Sequence, residues 1–148
     1  MIIPDVNVLV HAYNRQSAEH AVVRAWWEQT LSRSRPVGLP WVSILGFLRL
    51  CTNPRISLRP MTAEQAVGHV KSWLAAPRVD IIHPGDQHAE IVFGLLEDLG
   101  MAGNLTTDAH LAALAIEYQA ELASTDSDFA RFRGLRWFNP LGSAPKAG

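Results

Sequence analysis

The first thirteen residues, MIIPDVNVLVHAY, constrain the fold more than any other stretch of the chain. Residues 1–4 form an apolar run that predicts a short strand, and the apolar residues from 6 to 13 recur at the spacing of one helix face. Asp5 lies between the two, at the carboxyl end of the strand, where open α/β sheets gather their ligands. Taken alone, Asp5 is better explained as a helix cap, because Asp is a preferred N-cap residue.

Short apolar segments alternate with helical patterns along the rest of the chain. We expect helices over 17–32, 42–52, 62–74, 86–99 and 106–118, and strands over 37–39, 79–82, 121–125 and 135–138. Thr62 and Gln65 form a capping box, Asp86 is the expected cap of its helix, and Gly100 is the expected stop. The alternation predicts an α/β fold with a mostly parallel central sheet and helices on both faces. We predict one domain over residues 1–141 and a flexible C-terminal tail over 142–148.

Composition excludes several classes of protein. The chain has 148 residues, is 48% hydrophobic and 18% charged, and carries a formal net charge of −1. This composition argues against disorder, and a balanced charge gives no general attraction to nucleic acid. No apolar stretch approaches the length of a membrane span and no secretory signal is evident, so we expect a cytoplasmic protein without a membrane partner. The single cysteine, Cys51, cannot form an internal disulfide.

Three acids occupy similar positions in the predicted fold. Asp5 and Asp126 each follow a predicted strand, and Asp108 lies in the first turn of the helix that leads into the second of those strands. Ionised carboxylates that share one crevice repel one another unless a cation lies among them, and all-oxygen sites suit Mg²⁺ or Mn²⁺. The chain has neither a glycine-rich phosphate loop nor a GxSxG elbow. Asn7 also excludes an aspartate-nucleophile phosphatase, because it cannot act as the general acid two residues after Asp5.

The chain resembles the PIN-domain ribonucleases of the VapC toxin type, particularly a subgroup common in mycobacteria. The segments that carry the resemblance are MIIPDVNVLVHAY, FLRLCTNP, GNLTTDAHLAALAIEYQAELASTDSDFARF and LRWFNPL, within roughly residues 1–141. It implies a PIN-like three-layer fold and a Mg²⁺- or Mn²⁺-dependent endoribonuclease that cuts structured RNA such as transfer or ribosomal RNA. It also implies a homodimer that is inhibited by a small antitoxin of the VapB type.

The resemblance also assigns roles to individual residues. Asp5, Asp108 and Asp126 match the metal-binding acids that carry catalysis, and Asp128 matches a frequent accessory acid in the same turn. One position departs from the pattern, because Phe47 stands where PIN domains usually have a glutamate.

We expect other oxygen donors to compensate for the missing glutamate. The hypothesis is that Asp128, or water held by Asn7 or by the Ser43 hydroxyl, completes the metal site, since Mg²⁺ readily keeps several waters. The competing interpretation is that the site binds metal weakly and the protein is slow or inactive.

The expected reaction is metal-assisted hydrolysis of an RNA phosphodiester. Arg49 and Arg55 are candidates for gripping substrate phosphates. Arg49 could instead pair with an acid of the cluster, and either arginine could bind an antitoxin carboxylate. Two other functions stay open: a non-catalytic PIN-like module that binds RNA or protein, and a DNA nuclease, since metal–carboxylate chemistry does not itself select the sugar.

Overall fold

The computed structural model describes residues 1–142 and places a parallel sheet between two layers of helices. In chain order the elements are β1 (Ile2–Pro4), α1 (Val6–Tyr13), α2 (His20–Ser32), β2 (Val37–Pro40), α3 (Trp41–Thr52), α4 (Ala63–Leu74), β3 (Val79–Ile82), α5 (His88–Leu99), α6 (Thr106–Glu117), β4 (Glu121–Ala123) and β5 (Arg136–Phe138). Short 3₁₀ turns occupy Gly103–Leu105 and Ser127–Arg131. Of the predicted tail, residues 143–148 lie outside the described part of the chain.

The strand order is β3-β2-β1-β4-β5, and every pair of neighbouring strands is parallel. The expected α/β architecture is therefore confirmed, and the described sheet is entirely rather than mostly parallel. β1 is the central strand and is fully covered, with Ile2 paired to both Val37 and Glu121. Because neighbouring parallel strands end at the same edge, this order brings the residues after β1 and β4 together.

The two faces of the sheet are covered by different kinds of core. On one face, α5 and α6 pack a mainly aliphatic cluster that includes the fully buried Ala112, Ala113 and Ala115. Small side chains let α6 lie close to the sheet. On the other face, α1 to α4 enclose an aromatic cluster that includes Trp27, Phe47 and Trp73.

Most predicted boundaries differ from the observed ones by a few residues. The capping box of Thr62 and Gln65 is confirmed at the start of α4, and Gly100 ends α5 in the left-handed conformation with φ of 68°. The Asp86 cap is wrong: Gln87 is the N-cap residue of α5, and its side chain makes no capping hydrogen bond. The backbone N–H groups of Gly85 and Gln87 instead donate to the Glu117 carboxylate, which fixes this loop from α6.

Within residues 1–142, none of the helices combines the length and the apolar character needed to cross a bilayer.

Candidate active site

Asp5 connects the end of β1 to the start of α1. Its Oδ1 accepts a hydrogen bond of 2.7 Å from the Val6 N–H, so the capping interpretation is correct as far as it goes. Its Oδ2 accepts a second hydrogen bond, of 2.8 Å, from the Ser124 hydroxyl just beyond β4. One oxygen therefore supports the helix and the other is held toward the neighbouring strand end.

Ser124 joins the two strand ends, a role that was not predicted from the sequence. The residue is fully buried, and its hydroxyl oxygen accepts hydrogen bonds from the Asp126 N–H at 3.0 Å and from Asn7 Nδ2 at 3.3 Å. Because the same hydroxyl donates to Asp5, one side chain fixes Asp5 relative to the turn that carries Asp126. The sequence feature that could have indicated this role is a small polar residue between the apolar segment of β4 and Asp126.

The turn after β4 begins earlier than expected. The strand ends at Ala123 rather than at residue 125, because Ser124 and Thr125 use their polar groups to hold the turn. The Thr125 N–H donates to Asn7 Oδ1 at 3.3 Å, and the Asp128 N–H donates to Asp126 Oδ1 at 2.9 Å. Asn7 therefore positions the turn, while Asp128 is exposed at its outer side.

The four acids act on one another through their charges. Burial, with a further contribution from the negative charges of Asp5, Asp126 and Asp128, raises the pKa of Asp108 to about 6. Burial also raises the pKa of Asp5, against the opposing hydrogen bonds from Ser124 and Val6, and the charge of Asp126 adds to the rise. The acids predicted from sequence are thus close enough for their charges to interact near the carboxyl ends of β1 and β4.

The chemistry of these side chains fits a hard divalent cation. All the charged donors are carboxylate oxygens, and their mutual repulsion is the condition that a bound cation relieves. In the described part of the chain, however, no three His, Cys, Asp or Glu side chains are already arranged to hold an ion. The acids are therefore close enough to repel one another without forming a closed ligand shell.

Phe47, at the position of the expected glutamate, belongs to the aromatic core. It is fully buried, with its ring centroid 4.7 Å from that of Trp73 and 5.8 Å from that of Tyr13. The ring contacts of this residue are with the aromatic cluster, not with the four acids. Residue 47 therefore fills the core.

Ser43 and Gly46 are the α3 residues that contact the Asp5 junction. The Ser43 hydroxyl is fully buried and donates to the Pro4 carbonyl oxygen at 2.8 Å. A Cβ added at Gly46 would lie 2.5 Å from Val6 Cγ2, so α3 lies directly against the first turn of α1. Ser43 thus supports the end of β1 and has no exposed surface from which to bind substrate.

Arg49 and Arg55 are both exposed. Arg49 lies on α3 about one turn beyond Gly46, the residue that packs against Val6. Arg55 lies in the loop after α3. Among residues 1–142, neither arginine side chain forms an ion pair with the four acids, and their role in binding substrate stays a prediction.

Comparison with known proteins identifies the family. Residues 2–135 match the PIN domain family model. Ribonuclease VapC33 of Mycobacterium tuberculosis is 43% identical over 141 residues, which cover 95% of this chain and 99% of that protein.

Solved structures share the fold at lower identity. VapBC2 from Rickettsia felis, bound to a promoter DNA fragment, aligns with a TM-score of 0.66 and 22% identity over 94% of this chain and 98% of its own. M. tuberculosis VapC20, a toxin that cleaves the sarcin–ricin loop, aligns with a TM-score of 0.66 and 17% identity over 92% of this chain and 99% of its own. The chain therefore belongs to the PIN-domain family, within its VapC group.

Proposed function

We propose that this protein is an endoribonuclease toxin that hydrolyses RNA phosphodiester bonds with a divalent metal ion. The observation that carries the proposal is the hydrogen bond from Ser124 to Asp5, which fixes the acid of β1 beside the turn of Asp126. Asp108 is close enough to be affected by the charges of the other acids. The PIN-domain match and the ribonuclease name of a 43% identical relative support this chemistry.

Asp5, Asp108 and Asp126 would hold the ion, which we propose to be Mg²⁺ or Mn²⁺, and Asp128 would serve as an accessory acid at the outer side. Such an ion, when bound, lowers the pKa of a coordinated water and offsets negative charge on the phosphoryl oxygens. The chain's own part is to hold its carboxylates in place. Ser124 fixes Asp5 Oδ2, and Asn7 fixes the turn of Asp126.

We propose structured RNA, such as transfer or ribosomal RNA, as the substrate in the cytoplasm, and a small VapB-type antitoxin as the inhibitor. A groove with a volume of about 680 Å³ between α1, α2, α3 and α4 supports the second partner. Its cationic side chains include Arg15, Arg24 and Arg59, and apolar residues such as Leu50 and Met61 also line it.

We call this cavity the basic groove and propose that it binds an acidic, amphipathic segment of the antitoxin. Arg24 is ion-paired with Glu28, but no Asp or Glu is among the described residues that line the groove, so Arg15 and Arg59 remain to attract an anionic partner. Arg49 and Arg55 are sequence neighbours of two lining residues, Leu50 and Ile56. We therefore assign these two arginines to antitoxin carboxylates rather than to the scissile phosphate.

We also propose that the chain forms a homodimer. Trp41 and Leu45, one turn apart on α3, are 47% and 57% exposed, and Phe93 on α5 is 60% exposed. Large apolar side chains left in water favour burial against a second copy. The mass of the purified chain measured by light scattering, compared with that of Leu45→Lys, tests this assignment.

The decisive experiment is a cleavage assay on total RNA with the partner-free chain in Mg²⁺ and in Mn²⁺. We expect cleavage by the wild type and a loss of at least about a thousandfold in Asp5→Asn, which corresponds to about 4 kcal/mol of barrier. Cleavage of DNA in preference to RNA would favour the DNA nuclease. A folded chain that cuts neither polymer would favour the non-catalytic module, and undiminished cutting by Asp5→Asn would remove the site proposed here.

A further inference from the structure

A second cavity lies between α2 and the β1–β4–β5 edge of the sheet, away from the basic groove. Its volume is about 210 Å³, and its lining includes Trp26, Arg33, Arg35, Glu121 and Phe138. We call it the α2–β5 groove. It combines two aromatic rings with two guanidinium groups, which is the side-chain chemistry that binds single-stranded nucleic acid: bases stack on the rings and phosphates pair with the arginines.

The aromatic wall is formed by Trp26 and Phe138. Their ring centroids are 5.8 Å apart with the planes at 65°, and both residues are only partly buried. Among residues 1–142, the Trp26 indole N–H makes no hydrogen bond, so that polar edge is available to a ligand. The adjacent Trp27, by contrast, is fully buried in the aromatic core. Part of the Trp26 ring is therefore left exposed outside the aromatic core.

The cationic wall carries more positive than negative charge. Arg35 forms an ion pair with Glu121, so its charge is balanced within the groove. Arg33 is exposed, and its guanidinium group has no ion pair or hydrogen bond with the described residues. A planar guanidinium group without a partner is suited to a phosphate oxygen pair.

One end of the groove, at Phe138, reaches the level of the strand ends that precede Asp5 and Ser124, because Phe138 pairs with Ala123 and Ala123 pairs with Pro4. The Phe138 carbonyl accepts a hydrogen bond of 3.1 Å from the Ser124 N–H, and the hydroxyl of Ser124 donates to Asp5. From Phe138 the groove runs along β5 toward Arg136, the residue that pairs with Glu121. These two positions on β5 are two residues apart, or about 7 Å. That length matches about two stacked nucleotides.

We infer that the α2–β5 groove binds the RNA strand a few nucleotides from the scissile phosphate, with a base against Trp26 and Phe138 and a phosphate on Arg33 at the far end of the groove. This inference rests on the proposed ribonuclease function and adds a substrate-binding surface to it. The alternative occupant, an acidic peptide of a protein partner, would use the arginines but would gain little from the aromatic wall.

Binding of RNA in the absence of metal tests the groove separately from cleavage. The probe is a short, fluorescently labelled, single-stranded RNA of random sequence, titrated with the full chain in EDTA while anisotropy is recorded. We expect Trp26→Ala to raise Kd about tenfold, and Trp26→Phe to restore most of the affinity because it keeps a stacking surface. Arg33→Gln should raise Kd about fivefold and reduce the salt dependence by about one released counterion.

Arg78→Gln is the matched control, because Arg78 is equally exposed but lies before β3 at the other side of the sheet. Its RNA affinity and salt dependence should stay closer to those of the wild type. Thermal unfolding of each variant shows that the folded state is retained, and Arg33→Gln carries the test if Trp26→Ala unfolds.

The two proposals can fail separately. RNA binding that depends on Trp26 and Arg33, in a chain that cuts no RNA, would keep the groove and remove the nuclease. RNA affinity that is unchanged in both Arg33→Gln and Trp26→Ala would overturn the groove, whatever the cleavage result. A polyglutamate peptide that depends on Arg33 for binding, while RNA does not, would also overturn it in favour of a protein partner.

Discussion

The two ends of α1 serve opposite purposes. At its C-terminal end, Tyr13 accepts a 2.7 Å hydrogen bond from Trp73 Nε1, contacts the ring of Phe47 and lies 4.3 Å from the Arg24 guanidinium carbon. These contacts are mutually favourable and stabilise the fold. At its N-terminal end, Asp5 is partly buried, and its burial together with the charge of Asp126 raises its pKa.

This difference shows how the fold can hold a repulsive cluster of charges. Repulsion among carboxylates costs stability, whereas burial of large aromatic side chains contributes to it. The aromatic cluster lies on one face of the sheet and the acids lie at its edge, so the core packs fully without including the acids. Substitutions at the aromatic end should therefore change stability most, and substitutions at the acid end should change chemistry most.

The largest expected effect comes from placing an acid in the aromatic cluster. Phe47→Glu restores the residue that PIN domains usually carry, but here it buries a charge among Trp73 and Tyr13. We expect a loss of about 5 kcal/mol or more in the free energy of unfolding, comparable with the whole stability of a domain. The measurement is urea unfolding, together with the soluble yield of the variant.

Phe47→Leu separates the effect of charge from that of shape. It keeps an apolar side chain and should cost only about 1–2 kcal/mol. If Phe47→Glu were as stable as the wild type and bound Mn²⁺ more tightly, position 47 would face the acids, and the division between the two ends of α1 would be wrong.

The sequence predicted the parts of the molecule that depend on local patterns. Strand and helix order, the Thr62 capping box and the left-handed Gly100 all follow from apolar spacing and from the conformational preferences of single residues. The convergence of Asp5 and Asp126 also followed, because parallel strands end at a common edge. Asp108 was placed there by its position at the start of the preceding helix.

What the sequence left undetermined depends on contacts between distant segments. Ser124 and Asp5 are 119 residues apart, and no local pattern shows that the Ser124 hydroxyl donates a hydrogen bond to the Asp5 carboxylate. The expected role of Ser43 in substrate binding has no support from its fully buried position, because the hydroxyl is used by the Pro4 carbonyl across the α3–β1 contact. The packing of Phe47 likewise required knowing where α4 brings Trp73.

A smaller effect is expected from the residue that joins the acids. Ser124→Ala removes the donor to Asp5 Oδ2 and the acceptor of the Asp126 N–H and the Asn7 amide. Loss of such a supporting contact should reduce kcat about tenfold or more and cost about 1–2 kcal/mol of stability. The pKa of Asp5 should also rise further, because the Ser124 hydrogen bond lowers it.

Ser124→Thr is the informative control, since it keeps the hydroxyl and should restore most of the activity. NMR titration of the Asp5 carboxyl in metal-free protein distinguishes positioning from general packing. If Ser124→Ala lost stability but the Asp5 pKa and kcat did not change, Ser124 would be a structural residue only.

The smallest expected effect is a gain of stability at the acid end. The pKa of Asp108 is raised from 3.8 to about 6, so between these values the folded state binds more protons than the unfolded state. Stability from this group is therefore fully present below pH 3.8 and is lost as pH rises through about 6. In Asp108→Asn the charge is absent, so at pH 7 without metal the variant should be more stable than the wild type. Because Asp108 is only partly buried, we expect about 1 kcal/mol, or about 3 °C in Tm.

The pH dependence of that gain is what ties it to charge. The Tm difference between Asp108→Asn and the wild type should shrink as pH falls from 7 to 4, where Asp108 is protonated in the folded wild type. Asp86→Asn, which removes an exposed acid on the loop before α5, should show no comparable trend. Added Mg²⁺ should stabilise the wild type more than Asp108→Asn, because a cation relieves the repulsion only where the carboxylate is present. A constant Tm difference across this range would mean that the Asp108 charge does not oppose folding. The claim that charge repulsion lowers stability at the N-terminal end of α1 would then be wrong.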